Sequence, residues 1–425
     1  MFTSLFPDAR PPRPSTRFSG WRVVLVSAPA LGLTAPGQTI GVSVFIDPMM
    51  AALSLSRSEL SAAYLVGTLT GALTLPTMGR ILDRRGTRLT MAVIGGLFGV
   101  VLMGMAGVVG LVTLTIGFAG IRMLGQGALG LVATTAPAPW FDRRRGLAIG
   151  VTTALGSVLI ALFPLAVAAV VPAIGWRAAW VATAVLVWVT VIPLATWVMI
   201  DHPSDVGQQP DGALPPDDAE EAARRAYAAA YTRAEAVRTP MFWAVAGATA
   251  ATGMIGTGLA FHQIDLLGEQ GLTAVQAAAN FLPQMGASLL TVLAVGAMVD
   301  RFAPRWVLAT SMLLLMAAMV GVVLVSPGWT AVAYGLTVGA AGAAARALEA
   351  AAFPKLYGLA HLGSIRGVVT AISVGSTAFG PLALSLGRDL TGTYERILLI
   401  LLVVPALVAV LGLVAPEPRR PDRAG

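Results

Sequence analysis

Twelve apolar runs, each long enough to cross a lipid bilayer, decide most of what this 425-residue chain can become. Six lie at about 22–50, 58–78, 89–109, 112–139, 146–172 and 177–200, and six more at about 240–267, 273–298, 306–326, 329–353, 367–387 and 394–415. About 20 apolar residues span a hydrocarbon core of roughly 30 Å as a helix, and a helix satisfies its own backbone groups, as lipid demands. The predicted fold is an all-α membrane protein of twelve transmembrane helices. Composition agrees, because 56% of residues are hydrophobic and only 12% charged, too apolar for a soluble chain of this size. The absence of cysteine excludes disulfides and thiolate metal sites, and three histidines far apart make no metal centre. No metal and no cofactor is predicted, and no nucleophile-base constellation points to an enzyme.

Charge positions give the orientation. Of 28 Lys and Arg, 22 fall in turns and tails on the side of the N-terminus, four (Arg57, Arg177, Arg388, Arg396) on the other side, and two (Arg122, Arg346) inside segments. The positive-inside rule places the 22 in the cytoplasm. The expectation is a multi-pass protein of the cell inner (plasma) membrane with both termini cytoplasmic. The net charge of +7 then reads as anchoring to anionic lipid, with no nucleic-acid partner.

The chain divides into a cytoplasmic tail (1–21), an N-terminal six-helix bundle (22–200), a cytoplasmic linker (201–238), a C-terminal six-helix bundle (239–415) and a short tail (416–425). The apolar run after the first tail is too long for the core of a signal peptide. In the linker, Asp218 to Glu221 reads as a capping box, Glu220 and Glu221 precede Arg224 and Arg225 by four residues, and Tyr227 and Tyr231 share a face. That pattern predicts a short helix at the membrane surface.

The two bundles read as copies. The turn Gly79 to Arg88, which carries Asp83, Arg84 and Gly86, returns 217 residues later as Gly296 to Arg305, with Asp300 and Arg301. Asp47 and Asp265 are 218 apart, Gly175 and Gly392 217, and Arg145-Gly146 and Arg366-Gly367 221. Near-constant offsets predict two six-helix halves related by a pseudo-twofold axis along the membrane normal.

Gly79-x-x-x-Asp83-Arg84-x-Gly86-x-Arg88 resembles the signature loop between helices 2 and 3 of the major facilitator superfamily. With twelve spans, a central loop and the weaker second copy, the resemblance covers nearly the whole chain. Trp140 to Gly146, Tyr357 to Gly367, and Gly175-Trp176-Arg177 are similar to the corresponding loops of the monocarboxylate and oxalate:formate branches. The resemblance implies a secondary-active carrier working by alternating access. It also implies that the turn residues, with Asp300, Arg301 and Arg305, latch the cytoplasmic rim in the outward-open state. Physically, Gly79 and Gly86 permit a tight turn and close helix approach. Asp83 can face the positive N-terminal end of helix 11, and Arg84 and Arg88 can pair with acids or lipid phosphates.

Few polar groups lie inside the segments. Arg122 sits about ten residues into segment 4, roughly 15 Å deep at 1.5 Å per residue, where a charge needs a cavity or a partner. It stands in Arg122-x-x-x-Gln126-Gly127, similar to a helix 4 motif of the family that usually has one residue fewer between Arg and Gln. Two readings stay open: a group for a substrate anion or proton coupling, or an Arg satisfied by backbone carbonyls. Arg346 and Glu349, one turn apart in segment 10, either pair with each other or serve gating and anion attraction. His262 and Asp265 share a face of segment 7, as a proton-handling pair or an outer-gate hydrogen-bond pair. Pro36-Gly37-Gln38 interrupts segment 1, and Gly253, Gly256 and Gly258 are expected to loosen segment 7 at matching depth, where such folds expose backbone to cargo. Asn280 and Gln284 can add polar contacts, whereas Gly67 and Gly71 read as close packing.

The function expected from these residues is transport of a small organic anion, a monocarboxylate, as symporter or antiporter, with or without a proton. Arg122 would neutralise the carboxylate and Arg346 assist, with one chain as the functional unit. An efflux carrier for apolar or cationic compounds and a membrane ligand sensor without transport remain as other readings. Segments 8 and 11 lack a mid-membrane Arg or Lys, which weighs against dicarboxylates, and segment 5 lacks the Gly-Pro pair of drug antiporters.

Overall fold

The computed structural model describes residues 18–141, 144–210, 231–358 and 361–418. Among these, helices account for all twelve apolar runs and no strand occurs. The first, α1, is built in pieces: Gly20–Gly32, a tight turn at Ala35–Gly37, Thr39–Ser43 and Ile46–Leu53. Next come α2 (Arg57–Arg85) and α3 (Thr87–Ala106). The fourth, α4, starts as Leu111–Ile121, widens to a π-helix over Arg122–Leu129 and ends as Gly130–Thr135. One helical run, Arg145–Pro193, holds α5 (145–174) and α6 (176–193), parted at Gly175. The second half comprises α7 (Pro240–Gly268), α8 (Ala274–Ala279 and Phe281–Arg301), α9 (Pro304–Gly321), α10 (Trp329–Tyr357), α11 (Leu362–Thr391) and α12 (Tyr394–Leu401 and Val403–Val414).

Local chemistry explains the breaks. Pro36 lacks a backbone donor and Gly37 has no side chain to hold a helix, so α1 opens there as expected. Ser56 starts α2 with a capping box, its hydroxyl accepting from the Glu59 N–H while Glu59 accepts from the Ser56 N–H. Gly175 and Gly392, with φ of +79° and +83°, turn the chain into α6 and α12 at matching places with positive φ, although ψ differs (160° and −14°). That pairing is a direct trace of the repeat.

Packing repeats as well. In the first half α1 lies on α5, where Gly32 meets Leu159; α2 lies on α4, and α3 on α6, where the Trp188 indole donates to the Gly96 carbonyl at 2.9 Å. In the second half α7 lies on α11, α8 on α10 and α9 on α12. Each pair is its counterpart shifted by six helices. Buried apolar residues fall into two clusters: Val23 to Met199, which Phe261 and Ala278 join from the second half, and Tyr231 to Ala415. The halves meet where α2 packs on α11, the Thr39–Ser43 piece of α1 on α7, and the 145–193 run on α8. Large apolar side chains such as Leu25, Leu73, Val112, Leu290 and Leu407 are exposed on the outside, a surface suited to lipid.

Two expectations need correction or limits. Segment 7 does not loosen: α7 is one continuous helix. Its glycines instead admit α11, because a Cβ on Gly258 would lie 2.9 Å from the Gly380 carbonyl oxygen, and one on Gly253 3.1 Å from the Ser376 hydroxyl. Gly67 and Gly71 play the same part between α2 and α4, as read from sequence. The predicted linker helix, from Asp218 through Arg224 and Arg225 to Tyr227, lies outside the described residues. The chain re-enters at Tyr231, whose N–H donates to the Tyr357 carbonyl at 2.9 Å.

This packing makes a prediction. A Cβ at Gly380 would collide with the Met254 carbonyl, whereas one at Gly104 meets nothing within 4 Å. Gly380→Ala should lower the thermal unfolding midpoint of detergent-purified protein, at an overpacking cost of about 1–3 kcal/mol. Gly104→Ala should leave the midpoint level or raise it, since Ala loses less backbone entropy by about 0.5–1 kcal/mol. Equal midpoints for the two variants would contradict the close α7–α11 contact.

Candidate functional site

Between the halves lies a cavity of about 500 Å³. The broken stretch of α1 contributes Gln38, Thr39 and Ile40, α5 adds Ser157, and most of the wall comes from α7, α8, α10 and α11. Gly253 and Gly256 keep one face of α7 low enough to leave the space. Among the described residues, Arg346 on α10 is the only ionisable side chain on the wall. It is open to the cavity and has no hydrogen-bond or ion-pair partner among them. The expected Arg346–Glu349 pair does not form. Glu349 is buried and turned away, its carboxylate accepting from the Arg366 Nε at 3.4 Å.

Gln284 lines the cavity, whereas Asn280, one turn earlier, is buried behind it. The Gln284 Nε2 donates to Gln263 Oε1 at 2.7 Å and to Asn280 Oδ1 at 3.2 Å. Asn280 in turn donates to the Ala331 carbonyl, and Gln263 to the Ala277 carbonyl. Gln263 was not foreseen; no spacing in the sequence marks it.

Arg122 does not line the cavity. It is 5% exposed, its Nη1 donates to the Gly37 carbonyl at 3.1 Å, and its guanidinium lies 4.9 Å from the Tyr64 ring centroid. The Tyr64 hydroxyl meets the Thr39 hydroxyl at 2.7 Å. Arg122 and Tyr64 together therefore hold the break in α1 that delivers Gln38 and Thr39 to the wall. The extra residue between Arg122 and Gln126 coincides with the π-helical stretch Arg122–Leu129, where one residue more per turn is absorbed. Gln126 itself is exposed and off the cavity wall.

The cavity ends at a sealed rim, opposite the one bearing the 85–87 turn. There Arg57 at the start of α2 reaches Asp47 of its own half at 2.7 Å and Asp265 of the other half at 3.2 Å. Arg388 reaches Glu269 at 2.6 Å and Asp265 at 3.7 Å, and the Tyr394 hydroxyl donates to Asp265 at 2.9 Å. Ser58 bonds Asp389 across the halves, and beneath it the rings of Tyr64 and Phe261 meet at 4.6 Å. Asp265 thus belongs to this network and makes no hydrogen bond to His262. The His262 Nε2 instead bonds the Pro381 carbonyl at 2.9 Å, inside the α7–α11 packing, while Arg57, Arg388 and Tyr394 engage Asp265. The sequence had marked Arg57 and Arg388 only as topology counts. Their rarity on that side was the available signal.

At the opposite rim, Gly86 takes φ +75° and the Asp201 carboxylate accepts from the Arg88 N–H at 2.7 Å, so it caps α3. The Arg88 guanidinium donates to the Thr196 carbonyl within its own half, and Arg305 is exposed at the start of α9. Gly79 and the side chains of Asp83, Arg84, Asp300 and Arg301 lie outside the described residues.

The sequence matches the family model described as Major Facilitator Superfamily over residues 28–286. No curated protein matches it. Two solved structures of a bacterial homolog to the human lysosomal transporter Spinster share the fold. The inward-facing, unoccupied form is 16% identical with a TM-score of 0.69, covering 94% of this chain and 97% of its own. The inward-facing, occupied form is 14% identical with a TM-score of 0.72, covering 96% and 100%. At that identity the likeness speaks for the fold alone.

The rim geometry sets a second prediction. The chain has no cysteine, so spin labels on Ala52→Cys and Gln270→Cys report one distance across the sealed rim. Arg57 is buried but its acid partners are 41% and 20% exposed, so its loss costs less than the ~3–5 kcal/mol of a fully buried pair, and about 1.4 kcal/mol already shifts a two-state ratio tenfold. Arg57→Gln should add a longer-distance population to the pulsed-resonance profile. A profile identical to that of the parent would contradict the role given to Arg57.

Proposed function

The chain belongs to the Major Facilitator Superfamily of membrane transporters, and on that premise we propose that it carries a small organic anion, a monocarboxylate, by alternating access. The observation that carries this reading is Arg346, a guanidinium open to a central cavity whose described wall holds no acid. A charge is kept at such depth for a partner or an aqueous cavity, and a carboxylate matches the guanidinium fork with two parallel hydrogen bonds. One cation on the wall suits one carboxylate better than two.

Arg122 takes a different part in this proposal from the one its depth suggested. It positions the cargo-facing piece of α1 through the Gly37 carbonyl and leaves the cargo charge to Arg346. With the basic turns taken as cytoplasmic, the sealed rim is the extracellular one and the described state faces inward. In that frame the Arg57 network is the outer gate, and the residues around Asp83 and Asp300 form the inner latch of the alternate state. His262 and Asp265 make no bond to each other, and we assign no coupled proton to them. Efflux of apolar cations fits less well, because such cargo would meet a guanidinium and a wall of hydroxyls.

Ligand-induced stabilisation tests the proposal, since anything that binds the folded state alone raises the unfolding midpoint. Small monocarboxylates should raise the midpoint of purified protein saturably. Arg346→Gln should abolish the shift and Arg346→Lys should keep part of it, because Lys supplies charge without the fork. A full shift in Arg346→Gln would remove the carboxylate assignment.

A further inference from the structure

The cavity wall is selective in a second way, in the direction of its hydrogen bonds. The amide of Gln284 is fixed by a network with two ends. Backbone carbonyls can only accept, so Gln263 must present its nitrogen to the Ala277 carbonyl and Asn280 its nitrogen to the Ala331 carbonyl. That leaves Gln263 Oε1 and Asn280 Oδ1 as acceptors, and both take hydrogens from Gln284 Nε2. The nitrogen of Gln284 is fully used, and its Oε1, with no partner among the described residues, is left for the cavity that Gln284 lines.

Gln38, on the other half, is fixed by the same logic. Thr34 donates its hydroxyl hydrogen to the Leu31 carbonyl at 2.7 Å, so it accepts from Gln38 Nε2 at 3.1 Å. Among the described residues Gln38 Oε1 is the free end. Three hydroxyls on the wall follow suit. Thr249 donates to the Val245 carbonyl at 3.1 Å, Thr377 to the Val374 carbonyl at 2.8 Å, and Ser288 to the Gln284 main-chain carbonyl at 2.8 Å. Each spends its one hydrogen on a helix backbone and keeps its lone pairs. These groups present acceptors from both halves around one cation, whereas the wall hydroxyls of Ser157, Thr252, Thr257 and Ser373 make no hydrogen bond among the described residues and can still donate.

From this, and resting on the monocarboxylate reading above, we infer that the cargo is a hydroxylated monocarboxylate, with Arg346 on the carboxylate and Gln284 Oε1, aided by Gln38 Oε1, accepting from cargo hydroxyls. Gln284 is the specificity-determining residue: an acid without hydroxyls leaves its oxygen unpaired. An ammonium group also donates, but no acidic side chain lines the described wall to balance it. The volume of about 500 Å³ lies within the range of small-ligand pockets, roughly 300–1,000 Å³.

The test is thermal-shift titration of the full chain with matched acids: lactate against propionate, and gluconate against hexanoate. The hydroxy acid of each pair should bind about tenfold more tightly, the size of one net hydrogen bond. Gln284→Met should bring the lactate-to-propionate ratio near one, a loss of discrimination that mere loss of stability would not produce. Equal affinities within the pairs in the unmodified chain overturn the inference without any variant. A preference that survives Gln284→Met overturns the role of Gln284, and tighter binding of zwitterionic amino acids overturns the cargo class. If no acid of either kind binds, it is the monocarboxylate reading that fails.

Discussion

One guanidinium joins the two copies of the repeat. Arg57 lies between Asp47 and Asp265, residues that occupy matching places in the two halves, and it touches both. A pseudo-twofold arrangement brings equivalent positions near a common axis, and here that places two like charges close together at one rim. Without a cation between them they would repel; with Arg57 they become a clamp. Arg388 and Tyr394 extend the clamp on the second half. The shape of the cavity below depends on it, because the halves close there and stand apart deeper in.

Two arginines inside the spans show how differently a bilayer-depth charge can be accommodated. Arg122 is surrounded by protein and balanced by a carbonyl and an aromatic face. It trades a costly burial for control of the α1 break, where Gly37 has lost a regular helical geometry and its carbonyl needs a donor. Among the described residues Arg346 has no such partners, and it lines the cavity. The same residue type is structural in one half and available for chemistry in the other. Depth alone does not distinguish them; the neighbours do.

Much of this was legible in the sequence. The twelve spans follow from run length, and the duplication follows from constant offsets, down to a positive-φ glycine at the matching turns Gly175 and Gly392. The irregular spacing after Arg122 coincides with the π-helical stretch Arg122–Leu129, a link that the sequence alone did not draw. What stayed hidden depends on partners far away in the chain. Glu349 prefers Arg366 to the arginine one turn away, and His262 turns to the Pro381 carbonyl instead of Asp265. Glycines on α7 looked like weak points yet serve to admit α11. The polarity of the Gln284 amide is fixed by carbonyls on the first piece of α8 and on α10, Ala277 and Ala331, through Gln263 and Asn280, which no local pattern records.

The account stands on the halves moving as rigid bodies about the cavity, one rim closing as the other opens. Pulsed-resonance distances across both rims, taken on the same protein with and without bound carboxylate, measure this most directly. The account predicts opposite changes: the distance at the Arg57 rim lengthens in the population whose distance at the 85–87 rim shortens. Two distances that stay fixed, or that lengthen together, would contradict it.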